Sequence, residues 1–156
     1  MADENKLATA QAAYKTLLKA LDAIDWKYDK NDEKLRIDFS VKGDDLPMSF
    51  IMLIDVDRQL VRLMSFLPFN FPEDKRLEGA IATSFVNYKL ADGSFDYDIT
   101  DGETSFRLTS SFRNSLISES LLRYMVQCAI YTVDKYNDKL FMIAKGMLSL
   151  ENFLSE

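Results

Sequence analysis

Leu7, Ala10, Tyr14, Leu17, Leu21 and Ile24 recur at steps of three and four, with Lys6, Lys15, Lys19 and Asp22 between them. That spacing predicts an amphipathic helix over residues 4–24. The period then changes to two. Residues 26–30 are a short strand candidate, turned by Asn31-Asp32-Glu33 into Leu35, Ile37, Phe39 and Val41, which alternate with Arg36, Asp38 and Ser40. After the turn at Gly43-Asp44-Asp45, apolar runs over 48–56 and 60–67 flank the polar Asp57-Arg58-Gln59 and predict a hairpin. Proline at 72, followed by Glu73 and Asp74, marks a helix start, with acids facing the positive end of the dipole. Its inner stripe reads as Leu77, Ile81, Phe85 and Tyr88. Gly79 costs such a helix about 1 kcal/mol against alanine, and so marks a place where another element can approach closely.

The strongest local pattern lies between Asn87 and Arg113. Phe95, Tyr97 and Ile99 alternate with Asp96 and Asp98, and Thr104, Phe106 and Leu108 alternate with Ser105, Arg107 and Thr109. Each run therefore buries one face. Asp92-Gly93 and Asp101-Gly102 supply the positive φ that the two connections need. With a four-residue turn over 100–103, Asp96 stands opposite Arg107 on the outer face, and the two are expected to touch. Beyond the hairpin, Ser118 caps a long helix whose stripe is Leu122, Val126, Ala129, Val133, Tyr136, Leu140, Ile143 and Met147. Gly146 ends it, and Ser149 caps a last short turn over 150–154.

Helix, four strands, helix, hairpin and long helix follow in order, and within them stand Asn87, Gly93-Ser94-Phe95, Asp98, Asp101-Gly102-Glu103, Phe106-Arg107 and the late Gly146. Together these resemble the YbjN-like family, bacterial proteins labelled as sensory transduction regulators. The similarity runs from about residue 7 to the end and is best over residues 85–113. Its motif consists of glycine turns and apolar alternation, so it speaks for fold more than for function. The resemblance implies a type III secretion chaperone-like fold. That fold is α+β, a mainly antiparallel sheet with helices mostly on one face, in the order α-β-β-β-β-α-β-β-α, with residues 1–156 as a single domain. It also implies a noncatalytic, usually dimeric, protein-binding module.

Charge and chemistry narrow the functional classes. The 156-residue chain carries a formal charge of -6, which repels phosphate backbones and anionic membrane surfaces, so neither nucleic acid nor membrane is expected as a partner. No run of 18 apolar residues occurs and the first residues lack a signal-peptide pattern, which leads us to expect a cytoplasmic protein. The single cysteine, Cys128, cannot form an internal disulfide and reads as a buried structural thiol. Histidine is absent, which removes the commonest general base and metal ligand and excludes Ser-His triads. No phosphate-cradling glycine loop and no dinucleotide fingerprint occurs. An enzyme is therefore not expected, nor a cofactor. Calcium is the sharpest alternative, because Asp92, Ser94, Asp96, Asp98, Thr100 and Glu103 match the ligand spacing of an EF-hand loop. Tyr97, however, occupies the position that needs glycine, and the intervening apolar residues belong to a strand, so no metal site is expected.

The two middle strands carry the binding expectation. If Phe50, Met52 and Ile54 face the helices, Ile51 and Leu53 point the other way, and Val61 and Leu63 are read as repeating this on the next strand. Ile51, Leu53, Val61 and Leu63 are thus the expected partner-binding residues, on a sheet face left apolar. Methionines 48, 52 and 64 would let such a surface adapt to varied partners. The expected function is protein binding, chaperone-like or regulatory, by a homodimer. The alternative is a small-ligand or metal-sensing domain, which requires a pocket with convergent polar groups.

Overall fold

Six antiparallel strands form one sheet, in the order β1-β2-β3-β4-β6-β5, in a computed structural model that describes residues 2–156. The chain runs α1 (Ala2–Asp22), β1 (Asp29–Asn31), β2 (Arg36–Lys42), β3 (Pro47–Asp55), β4 (Leu60–Asn70), α2 (Arg76–Lys89), β5 (Ser94–Tyr97), β6 (Glu103–Ser111), α3 (Glu119–Ala144) and α4 (Leu150–Leu154). The alternation in the sequence becomes two unlike faces. Ile37 and Phe39 of β2, Phe50, Met52 and Ile54 of β3, Phe106 and Leu108 of β6 and Phe95 of β5 are all buried. Above them α3 crosses β3, β4 and β6, α1 lies beside α3, and α2 packs on β5. The helices contribute Leu17 and Leu21, Ala82 and Val86, and nearly the whole predicted α3 stripe from Leu122 to Ile143. No helix of the described residues is long and apolar enough to cross a membrane.

Register overturns half of the expected partner surface. Met52 pairs with Leu63 and Ile54 with Val61, and directly opposed residues of an antiparallel ladder share a face. Val61 and Leu63 therefore lie under the helices, both 0% exposed, as core. Their outward counterparts on β4 are Arg62, Met64 and Phe66, opposite Leu53, Ile51 and, on β6, Ser105. Both flanks of this hairpin are apolar at nearly every position. Alternation alone could not choose the face, and the turn between Asp55 and Leu60 did.

The second helix is also rotated from its predicted setting. Gly79, Ala82, Thr83 and Val86 face inward, while Leu77, Ile81 and Tyr88 point to solvent and Tyr88 is 93% exposed. Of the predicted stripe, only Phe85 packs inward, against Phe153 at 5.6 Å between centroids. The small residues decide the orientation because they let α2 come close. A Cβ on Gly79 would stand 2.5 Å from Tyr97 Oη and 2.8 Å from the Phe71 ring, and Tyr97 donates its hydroxyl proton to the Arg76 carbonyl at 2.7 Å. At the chain's other ends the pattern also overreached. Leu7, Ile24 and Met147 are exposed, and Trp26 precedes the first strand and sets its ring edge-on to Phe39.

Candidate functional site

The side of the sheet away from the helices is its only long apolar strip without a covering element among the described residues. Asp38, Ile51, Met64, Arg107 and Ser94 stand opposite one another in a row across β2, β3, β4, β6 and β5. Arg36, Leu53, Arg62 and Thr109 form the next row. Ile51, Leu53 and Met64 are half-buried by their neighbours in the sheet, and Phe66 is 46% exposed. Leu60, at the end of β4 opposite Asp55, continues the strip.

Ion pairs frame this centre. Arg36 Nε reaches Asp38 at 2.9 Å on one side, and Arg107 Nε reaches Asp96 at 2.7 Å on the other. At the hairpin end, Asp55 accepts the Arg58 backbone N–H at 3.0 Å and its guanidinium at 3.1 Å, with Arg62 at 3.7 Å. Burial alone would push the Asp55 carboxyl up, but these donors and charges outweigh it and hold the group below the usual carboxylate range. The guanidinium of Arg62 also reaches toward Met64 Sδ at 3.9 Å. Such a face can bury apolar area against another surface while a rim of matched charges stays wet, the anatomy of a protein interface.

The expected contact between Asp96 and Arg107 forms, but in a different register. Ser94 opposes Arg107 and Asp96 opposes Ser105, so the pair meets diagonally. The connecting loop is longer than a four-residue turn. Asp98 folds it, accepting the N–H of Thr100 at 2.9 Å and its hydroxyl at 2.6 Å, and these bonds hold the Asp98 carboxyl below its ordinary value. Of the other acids of the calcium spacing, Asp92 accepts from the Gly93 N–H and the Tyr124 hydroxyl, and Asp96 pairs with Arg107.

The remaining motif residues build the helix-side scaffold. Asn87 at the end of α2 accepts the Phe95 N–H at 2.7 Å and donates to the Phe95 carbonyl at 2.9 Å, standing in for a neighbouring strand at the sheet edge. The Phe95 ring packs edge-on to Phe106, 5.4 Å between centroids. A Cβ on Gly93 would strike that Phe106 ring, and one on Gly102 would collide with the Phe71 carbonyl, in both cases at positive φ. Gly146, φ +72, ends the long α3 in open space. Cys128 is half-buried rather than buried. What the sequence reasoning missed is Phe66 and Leu60, and of the three methionines expected on this surface only Met64 lies there, since Met48 and Met52 are buried in the core. The signal was Arg62, whose charge places it outward and thereby sends Val61 and Leu63 inward.

No curated protein matches the chain. Its structure is similar to that of YbjN from E. coli, with a TM-score of 0.58 at 10% identity over 85% of this chain and 92% of that one. The ExsC–ExsE complex matches with a TM-score of 0.54 at 12% identity, over 81% of this chain and 92% of that chain. The HopA1–SchA chaperone–effector complex matches with a TM-score of 0.54 at 17% identity, over 82% and 95%. At these identities the likeness is one of fold. The profile of the YbjN family, described as "Putative bacterial sensory transduction regulator", matches residues 14–142, and with that span matched the chain belongs to the YbjN family.

Proposed function

We propose that this chain is a single-domain, noncatalytic protein-binding module, chaperone-like or regulatory, which works in the cytoplasm as a homodimer through the uncovered face of its sheet. The observation that carries this proposal is the strip of Ile51, Leu53, Met64 and Phe66 between two arginine–aspartate pairs. Monomers rarely leave a contiguous apolar patch of that kind in water. A twofold pairing of the same face on two copies would cover it without any new chemistry. Two further facts support the proposal. Its fold neighbours include a chaperone–effector complex, and its family is described in regulatory terms.

Leu53→Asp tests it. Buried against a second chain, the new carboxylate would cost association several kcal/mol, on the order of 3–5, and leave a folded monomer at micromolar concentration. Light scattering reads the mass and circular dichroism the fold. A folded variant of unchanged mass overturns the interface assignment, and an unfolded one reassigns Leu53 to the core.

A further inference from the structure

On the helix side, away from the sheet face just described, the end of α2 leaves a cleft of about 230 Å³ against α3. Its floor is one stripe of α3, where Cys128, Thr132 and Tyr136 follow at four-residue steps. Its other wall is Lys89, Leu90, Ala91 and Asp92, the segment in which α2 stops and the chain turns into β5. Tyr124 and Tyr131 add two more phenol rings.

The groups that converge here are donors and cations. Lys135 Nζ lies 5.3 Å from the centroid of Tyr136 and 5.9 Å from that of Tyr131, whereas Lys89 turns its Nζ onto Phe85, 4.1 Å from the centroid of a ring that does not line the cleft. Among the described residues neither ammonium forms an ion pair. The one carboxylate, Asp92, is already spent. Its Oδ1 accepts the Gly93 N–H at 3.0 Å and its Oδ2 the Tyr124 hydroxyl at 3.1 Å. That hydrogen bond, followed by the nearby Cys128 and the Asp92 charge, pushes the Tyr124 phenol up to about 12, and its O–H is engaged by Asp92. With Asp92 spent, Lys135 favours an occupant that brings negative charge, and the tyrosine and leucine walls favour a ring. Ligand pockets for drug-sized molecules run from about 300 to 1,000 Å³, so this cleft suits something smaller than a nucleotide.

We propose that the cleft binds a small aromatic carboxylate, one ring bearing one acid group, with the ring against Tyr131 and Tyr136 and the carboxylate on Lys135. The site joins the end of α2 to α3 across the Asp92-Gly93 turn, so an occupant would hold the segment that leads into β5. It stands whether or not the sheet face binds protein.

Sodium benzoate is the probe, titrated into ¹⁵N-labelled protein with acetate and benzyl alcohol as single-feature controls. Benzoate is expected to give saturable amide shifts confined to residues 89–92 and 124–136, at concentrations where neither control saturates. Lys135→Gln and Tyr131→Ala, both at exposed positions that leave the fold intact, should each weaken binding about tenfold. Absence of saturable shifts, equal binding of acetate, or variants that bind benzoate unchanged would each overturn the site.

Discussion

The β3–β4 and β5–β6 hairpins sit in one sheet, joined through β4 and β6, and both send phenylalanine, methionine or leucine beneath the helices. Outward they differ. From β5 and β6 come Ser94, Asp96, Ser105, Arg107 and Thr109, a face finished for water. From β3 and β4 come Ile51, Leu53, Met64 and Phe66, with Arg62 in their midst and Ser49 and Asp55 toward the two ends of β3. The contrast lies in side chains, and side chains on a solvent-facing strand answer to what they touch. The comparison confines the proposed interface to the β3–β4 half of the open face.

The largest effect that can break this comparison comes from truncating one residue on each side of the same hairpin. At a concentration low enough for the chain to be monomeric, Leu63→Ala, in the core, is expected to cost about 2–5 kcal/mol in urea denaturation, whereas Leu53→Ala should cost the fold less than about 1 kcal/mol. Equal losses would mean that the outward face is covered too. A smaller effect is expected from Asp55, which ties the end of that hairpin. Its folded pKa lies below the ordinary carboxylate value. Its contribution is therefore present above the unfolded pKa, near 4, and disappears as pH falls through the lower folded value. The stability gap between the protein and Asp55→Asn should accordingly be full at pH 7 and close on acidification below about pH 4. A gap that instead widened in acid would contradict the charge pairing with Arg58 and Arg62. Smallest of all, Arg107→Ala should lose about 0.2–1 kcal/mol, because its pair with Asp96 is exposed on both sides. That loss should shrink in high salt, and one that did not would show Arg107 acting through packing.

Much of the fold was legible along the chain. The element order followed from periodicity, Ser118 and Ser149 accept backbone N–H groups as caps, and Gly93, Gly102 and Gly146 carry the positive φ their turns were assigned. Less of the open face of the sheet was legible. Ile51 and Leu53 are outward, but Val61 and Leu63 are not, because a strand with apolar residues on both faces gives alternation nothing to read. Arg62 was the one position whose chemistry spoke, and its message was the opposite parity.

The rotation of α2 marks the same boundary. Its sequence offers two stripes, one of large residues at Leu77, Ile81 and Tyr88 and one of small residues at Gly79, Ala82 and Val86. Hydrophobicity favours the first, and the second is buried. Local sequence determined that a helix forms there, since hydrogen bonds within a helix depend on near neighbours. Which stripe turns inward depended on Tyr97 and Phe71, 18 and 8 residues away from Gly79 in opposite directions along the chain, whose rings leave room for no side chain at that position. Sequence by itself determined the order of the elements and their caps. Tertiary structure alone decided which apolar surfaces were left uncovered, because burial is a property of the space between elements and close packing admits only side chains that fit it.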